Sequence, residues 1–219
     1  MYKLAIFDMD GTILNSIEDI RDCCNMALAD FGYPSHETEE YKYFVGNGAR
    51  LLVKRAMPED IRDDDAQLDR VLAAYTGYYD AHGNDKTGPY PGVVEALETL
   101  KANGVKLAVV SNKPNPSTRE LAQLHFPGVF DIVYGERTGI PTKPAPDTVL
   151  EVMRRLDVAP CETAYFGDSS VDMLTGKNAN AFTVGVLWGF RPKSELVENG
   201  ADCTIDKVEQ ICDLVLGTD

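Results

Sequence analysis

The sequence predicts an α/β protein: a core of parallel β-strands with helices on both faces, plus a small all-helical domain inserted after the first strand. Two observations carry this prediction. From about residue 86 onward, short apolar runs of strand length alternate with segments of helical periodicity, as in parallel sheets joined by crossover helices. Between residues 16 and 85 only helical patterns recur. We therefore expect a core formed by residues 1–15 and 86–219 and a helical insertion formed by residues 16–85.

The first strand and the insertion are predicted as follows. Leu4–Phe7 is a continuous apolar run, which suits a strand buried on both faces. A helix begins at Ser16, a residue type that caps helices, and ends before Gly32 and Pro34. The polar segment His82–Pro89 is rich in turn residues and predicts a hinge at the end of the insertion. Three further helical patterns lie between these limits, at Glu39–Phe44, Ala49–Ala56 and Leu68–Tyr79.

Beyond the hinge, helices and strands alternate. The predicted strands are Val105–Val110, Val129–Tyr134, Thr163–Phe166 and Phe182–Val186. The predicted helices are Gly92–Asn103, Asn115–His125, Asp147–Leu156 and one that contains Met173–Asn178. Since ligands of parallel α/β sheets bind beyond the carboxyl ends of the strands, we expect the functional site at that edge.

The composition argues against several kinds of partner. The chain carries 35 acidic and 21 basic residues, a formal charge of −14, which disfavours nucleic acid and anionic membrane surfaces. No apolar run approaches the roughly 18 residues of a membrane span, and the apolar stretch before Asp8 is too short for a signal peptide. The five cysteines have no metal-binding or redox spacing. We expect a cytoplasmic protein with reduced thiols, and either a monomer or a weak homodimer is compatible with the sequence.

Four polar clusters lie where predicted strands stop or a helix begins. Because the carboxyl ends of parallel strands open on one edge of the sheet, these clusters can meet although they are far apart in sequence. They are Asp8-Met9-Asp10-Gly11-Thr12, Ser111-Asn112, Lys143-Pro144-Ala145-Pro146-Asp147 and Gly167-Asp168-Ser169-Ser170-Val171-Asp172.

The first cluster has the chemistry of phosphoryl transfer. Asp8 and Asp10 are two residues apart, so in an extended chain both carboxylates project to one side. Neighbouring carboxylates repel unless a cation lies between them or one holds a proton. A third acid, Asp168, would complete an all-oxygen site suited to Mg²⁺. Asp8 would then attack phosphorus, while Asp10 would protonate the leaving alkoxide and later deprotonate a water molecule.

The remaining polar groups provide donors for an anion. The Ser111 hydroxyl, the Gly11 and Thr12 amides and the Lys143 ammonium would hold the phosphoryl oxygens. Together with Mg²⁺, Lys143 would make the site locally cationic inside an acidic protein. We therefore expect a small phosphorylated metabolite as the ligand.

The four clusters, in this order, resemble the motifs of the haloacid dehalogenase-like hydrolase superfamily, and the helical insertion resembles its subgroup with an α-helical cap. The resemblance implies a Rossmann-like core, Mg²⁺ dependence and an aspartyl-phosphate intermediate. It implies Asp8 as nucleophile, Asp10 as acid and base, Ser111 as phosphate-binding hydroxyl and Lys143 as neutralising lysine. We expect the metal site at Asp8, Asp10, Asp168 and Asp172, and the phosphate site at Gly11, Thr12, Ser111, Asn112 and Lys143. For Asp172 two roles stay open: a metal ligand through water, or a partner that positions the lysine.

Several stretches are similar to phosphoglycolate phosphatases and their near relatives. The resemblance implies a phosphoric monoester hydrolase, with phosphoglycolate as the leading substrate. Pyrophosphate, nucleoside monophosphates, sugar phosphates, a β-phosphoglucomutase-like transfer and, more remotely, a non-catalytic binding module stay open. The stretches are Val45–Gly48, Pro89–Val93, Ser111–Pro114, Lys143–Asp147 and Gly185–Phe190.

The cap is expected to select the substrate, because in such enzymes it closes over the site and excludes water. Its candidate residues are Gly46, Asn47 and Arg50. Arg50 follows the Gly46-Asn47-Gly48 turn and is a residue type that binds a carboxylate in a bidentate manner.

Overall fold

The computed structural model describes residues 1–217 and divides them into two units. One unit contains Met1–Leu14 and the chain from Pro89 onward, and the other contains Asn15–Gly88. The sequence placed the limits of the insertion at residues 16 and 85. Among the described residues, no helix is both long enough and apolar enough to cross a lipid bilayer.

The core unit is built on one parallel sheet. In chain order the strands are β1 (Leu4–Phe7), β2 (Leu14–Asn15), β3 (Gly88–Pro89), β4 (Lys106–Pro114), β5 (Ile132–Glu136), β6 (Thr163–Gly167), β7 (Phe182–Val186) and β8 (Cys203–Ile205). Six of them form the sheet in the order β5-β4-β1-β6-β7-β8, and every neighbouring pair is parallel. The short β2 and β3 form a separate two-stranded sheet. β1 therefore has a partner on each side, and the loop that follows it begins in the middle of the sheet edge.

Helices cover both faces of this sheet. The core helices are α5 (Val93–Ala102), α6 (Asn115–His125), α7 (Asp147–Leu156), α8 (Ser170–Asn178), α9 (Lys193–Glu198) and α10 (Gln210–Leu216). Ala5 and Phe7 of β1 pack in one apolar cluster with α5, α6 and α10, whereas Leu4 and Ile6 pack in a second cluster with α7. Since successive strand residues point to opposite faces, the unbroken apolar run of β1 serves two cores. The predicted fold class is confirmed.

Two strands differ by more than one residue from their predicted bounds. β4 continues to Pro114, although the sequence predicted its end at Val110, and its register shifts between these two residues. The Ser-Asn-Lys sequence has turn-like composition, but pairing of Pro114 with Glu136 of β5 extends the strand. Ser111 and Asn112 therefore lie in the irregular end of a strand and not in a loop. β5 itself starts at Ile132, three residues later than predicted.

The second unit is all-helical among the residues between its two terminal strand segments. Its helices are α1 (Ile17–Asp30), α2 (Thr38–Phe44), α3 (Ala49–Ala56) and α4 (Asp65–His82). Asp64 caps α4 by accepting hydrogen bonds from the backbone amides of Ala66 and Gln67, at 3.0 and 3.2 Å. The turn before α3 has positive φ at Gly46 (115°) and Gly48 (86°), conformations that only glycine adopts without strain.

A buried carboxylate fixes the end of this unit. Asp19 of α1 is only 2% exposed. It accepts hydrogen bonds from the backbone amide of Lys86 at 2.9 Å, and from the amide and the hydroxyl of Thr87, both at 2.7 Å. A segment near the end of the unit is thereby tied to the first helix.

Replacing Asp19 with alanine should destabilise the protein by about 3 kcal/mol, because the two amides and the hydroxyl lose a charged acceptor. Urea unfolding followed by circular dichroism measures the change. Glu18→Ala is the control, since Glu18 lies on the same helix but forms only an exposed ion pair with Lys86 at 3.5 Å, worth about 0–1 kcal/mol. Equal losses for the two variants would contradict the role assigned to Asp19.

Candidate active site

The predicted polar clusters converge at the carboxyl edge of the core sheet. The loop after β1 provides Asp8, β6 is followed by Asp168, and α8 carries Asp172. One carboxylate oxygen from each of these buried acids lies within 4.8 Å of the others. Lys143, which precedes α7, reaches the same cluster.

Asp8 carries an unusual charge environment. Its Oδ1 lies 2.8 Å from Nζ of Lys143, but it is buried and accepts no hydrogen bond of normal geometry from the described residues. Burial raises the pKa of Asp8 to about 7 and outweighs the opposing effect of Lys143, while Asp172 and Asp10 add smaller upward contributions. The carboxylate therefore requires further positive charge to stay ionised.

Lys143 is the buried cation of this cluster. Burial alone would lower its pKa, but the carboxylates of Asp172 and Asp8 hold that pKa well above its ordinary range. Asn112 fixes its backbone: Lys143 N donates to Asn112 Oδ1 at 2.9 Å, and Asn112 Nδ2 donates to Lys143 O at 3.1 Å. The side chain of Asn112 is thus hydrogen-bonded to the backbone of Lys143. The binding of phosphate by Asn112 remains a prediction.

Asp172 is saturated with donors. Its Oδ1 accepts from Lys143 Nζ at 2.7 Å and from the Tyr165 hydroxyl at 3.1 Å. Its Oδ2 accepts from the amide and the hydroxyl of Ser169, at 3.2 and 2.6 Å. Four donors occupy both oxygens, so of the two roles left open for Asp172 the geometry favours positioning of the lysine.

Asp168 is held at the base of the site by close backbone approach. Its Oδ2 accepts from Phe190 N at 2.8 Å, and the Thr12 hydroxyl lies 3.4 Å from its Oδ1. Burial raises the pKa of Asp168 well above its ordinary range, and Asp172 and Asp8 add to the effect. A Cβ on Gly11 would lie 2.3 Å from Asp168 Oδ2, and one on Gly189 would lie 2.3 Å from Asp168 Cβ. Both positions therefore require glycine.

Asp10 has a partner that the sequence analysis did not single out. Nζ of Lys113 lies 3.1 and 3.2 Å from the two carboxylate oxygens of Asp10, and the lysine side chain is only 6% exposed. The side chain of Asp10, predicted as a metal ligand, is not among the three acids that cluster. Alternation along a strand places residues 111 and 113 on one side, but the turn-like composition of Ser111–Pro114 hides the strand from a reading of the sequence.

The predicted phosphate donors lie at the same edge. Ser111 is buried, and its Oγ accepts from Lys113 N at 3.2 Å. In the loop after β1, Gly11 N donates to Leu14 O at 2.8 Å and Thr12 N donates to Met9 O at 3.3 Å. These two amides thus close the loop, and their binding of a phosphate remains a prediction.

The predicted specificity residues lie in the helical unit. The guanidinium of Arg50 pairs with Asp65 at 2.7 Å and with Asp69, both on α4. Arg55, on the same helix as Arg50, is the arginine that contacts the glycine turn: its Nη2 donates to Asn47 Oδ1 at 2.8 Å. A substrate contact by Gly46, Asn47 or Arg50 remains a prediction.

Comparison with known proteins agrees with this geometry. Residues 5–186 match the family model described as haloacid dehalogenase-like hydrolase. A phosphoglycolate phosphatase of Psychrobacter arcticus is 32% identical over 98% of this chain and 96% of its own. Phosphoglycolate phosphatase 1 of Pseudomonas aeruginosa is 31% identical over 95% of this chain and 78% of its own.

A solved structure shows the same fold over its whole length. A protein of Lactobacillus delbrueckii subsp. bulgaricus, provisionally described as a phosphoglycolate phosphatase, superposes with a TM-score of 0.93 and 37% identity, covering 99% of each chain. The resemblance inferred from the motifs is confirmed, as is the predicted enzyme class, a phosphoric monoester hydrolase. The chain belongs to the haloacid dehalogenase-like hydrolase family.

Proposed function

We propose that this protein hydrolyses a small phosphate monoester, with phosphoglycolate as the leading substrate, by way of a phosphorylated Asp8 and with Mg²⁺ as cofactor. The observation that carries the proposal is the buried Asp8 carboxylate, 2.8 Å from Lys143 and clustered with Asp168 and Asp172. The names of the relatives support the choice of substrate.

The residues present suit a divalent cation. The carboxylates of Asp8, Asp10 and Asp172 pair with the ammonium groups of Lys113 and Lys143. With Asp168, which clusters with Asp8 and Asp172, these six groups carry a formal charge of −2 when all are ionised. The buried Oδ1 of Asp8 also accepts no hydrogen bond of normal geometry from the described residues, so it can accept a further ligand. Asp8 and Asp168 would hold the ion, since both oxygens of Asp172 are already engaged. A bound Mg²⁺ would neutralise charge, so that an anionic phosphoryl group can approach the Asp8 carboxylate.

In the first half-reaction Asp8 is the nucleophile. A carboxylate oxygen of Asp8 forms a bond to phosphorus, and the bond between phosphorus and the alcohol oxygen breaks. Lys143, held by Asp172 and Asn112, balances charge on the phosphoryl oxygens. Asp10 donates a proton to the leaving oxygen, so the alcohol departs neutral at that atom.

In the second half-reaction water takes the place of the alcohol. Asp10, now a carboxylate, accepts a proton from the water molecule while the water oxygen attacks phosphorus. The bond between Asp8 and phosphorus breaks, inorganic phosphate leaves, and both aspartates return to their starting states. If a sugar hydroxyl replaced water at this step, the same residues would perform a phosphomutase reaction. Release of inorganic phosphate indicates hydrolysis, whereas formation of an isomeric sugar phosphate indicates the mutase.

Asp8→Asn should reduce kcat by at least about 10³-fold, because an amide is a poor nucleophile. Turnover of a panel of phosphate esters that includes phosphoglycolate measures the effect. Asp8→Asn should also fail to take up ³²P from a labelled substrate, whereas Asp10→Asn should still be labelled by an aryl phosphate, whose leaving group needs no proton. Activity of Asp8→Asn near that of the wild type would refute the covalent route.

Asp168→Asn should abolish the rise in melting temperature that Mg²⁺ produces in the wild-type protein, since binding to the native state alone is stabilising. Without Mg²⁺ the variant should be at least as stable as the wild type, because one of three crowded buried carboxylates has lost its charge. Differential scanning fluorimetry measures both quantities. Asp157→Asn, an exposed change after α7, should leave the Mg²⁺ effect intact. An unchanged Mg²⁺ effect in Asp168→Asn would rule out this metal site.

The stabilisation by Mg²⁺ should increase from pH 5.5 to pH 8. With a folded-state pKa of about 7, raised mainly by burial, Asp8 is protonated at the lower pH and must lose its proton to bind the ion. Without the ion, the raised pKa means that stability falls as the pH rises from the unfolded pKa through about 7. The difference in melting temperature with and without Mg²⁺ measures this, and a pH-independent difference would contradict it. Asp8→Asn should flatten the dependence.

A further inference from the structure

The Lys113–Asp10 ion pair is a second buried ion pair at the sheet edge, separate from the Asp8–Lys143 pair. Lys113 and Lys143 are the two buried lysines of the described chain, and they have different carboxylate partners. Lys143 lies beside the nucleophile, where the phosphoryl group binds. Lys113 lies beside Asp10, the proposed proton donor to the leaving alcohol.

The backbone holds Lys113 firmly in this position. Its carbonyl accepts a hydrogen bond from the Thr118 hydroxyl at 3.1 Å. A Cβ on Gly135 would lie 2.4 Å from that carbonyl, so β5 packs closely against it. Its amide donates to Ser111 Oγ at 3.2 Å. A charged side chain on such a rigid support can discriminate between ligands by geometry.

The distances place the Lys113 ammonium within reach of the leaving group. To donate a proton, Asp10 must come within about 3 Å of the leaving oxygen. Since Nζ of Lys113 is 3.1 Å from Asp10 Oδ1, it lies within roughly 6 Å of that oxygen. In phosphoglycolate the carboxylate is attached to the carbon that bears this oxygen. The carboxylate can therefore span the distance between the leaving oxygen and the Lys113 ammonium.

We propose that Lys113 is a specificity-determining residue that binds a carboxylate on the leaving group, so that the site prefers monoesters of 2-hydroxy carboxylic acids. This inference rests on the proposed function and deepens it. A carboxylate here meets a buried, fixed cation, whereas a neutral alcohol brings no negative charge to it. In a protein of charge −14, such a local cation offsets the repulsion that an additional substrate anion would meet.

The test compares two substrates in three variants. Phosphoglycolate carries the carboxylate, and 2-hydroxyethyl phosphate replaces it with a neutral hydroxymethyl group. Lys113→Met should lower kcat/KM for phosphoglycolate at least about tenfold more than for 2-hydroxyethyl phosphate. Lys113→Arg should keep part of the preference. Lys106→Met is the control, since it removes the same charge from the opposite, exposed end of β4, and it should leave the ratio of the two substrates unchanged.

A binding measurement separates recognition from catalysis. Calorimetry with the Mg²⁺-loaded protein compares 3-phosphonopropionate, a non-hydrolysable isostere of phosphoglycolate, with propylphosphonate, which lacks the carboxylate. The wild type should bind the first more tightly, and Lys113→Met should lose that preference even if positioning of Asp10 is impaired. Equal losses for both substrates and an unchanged binding preference would overturn the inference and leave Lys113 as a positioning residue for Asp10. Failure of the wild type to hydrolyse any ester would instead refute the proposed function, and the inference with it.

Discussion

Buried negative charge is the constraint on which the site depends. Three buried carboxylates lie within 4.8 Å of one another, and burial raises the pKa of Asp8 and Asp168. Left alone, such a cluster would protonate or come apart. Lys143 lies between two of these acids, at 2.8 Å from Asp8 and 2.7 Å from Asp172, and it compensates only part of the charge. The remainder makes the site suitable for a divalent cation and a polarised phosphoryl group.

The supporting hydrogen bonds explain why this arrangement keeps its shape. Tyr165 and Ser169 hold Asp172 in place, and Asp172 in turn orients the lysine ammonium. Asn112 holds the lysine backbone through two hydrogen bonds. The charged groups are therefore held by partners on β4, β6 and the start of α8, and catalysis by electrostatic stabilisation requires this kind of preorganisation.

In the mechanism proposed above, the two ion pairs serve the two ends of a substrate. The Asp8–Lys143 pair has the chemistry for the phosphoryl end, where a bond to phosphorus forms and breaks. The Asp10–Lys113 pair, at 3.1 Å, has the chemistry for the alcohol end, where a proton moves. Because β4 carries both Asn112 and Lys113, a single strand end supports both pairs.

Much of the core and the identity of the acids could be read from the sequence. The apolar run before Asp8, the alternation of helices and strands and the four polar clusters were enough to predict them. Buried strands and their polar ends can be recognised from local sequence. The bounds of β4 could not be read in this way, since Ser111–Pro114 has the composition of a turn and is a strand only because β5 pairs with it.

The partners of each charged side chain were decided by the tertiary structure alone. Nothing near Asp10 in sequence marks Lys113, 103 positions away, and nothing near Lys143 marks Asn112 or Tyr165. Arg50 is a residue type that could bind a substrate carboxylate, yet it pairs with Asp65 and Asp69 of its own unit. The sequence thus determined which chemical groups are available and on which sheet edge they lie. Only the packing of strands and helices determined which groups meet, because ion pairing and hydrogen bonding depend on distances of about 3 Å that local sequence does not encode.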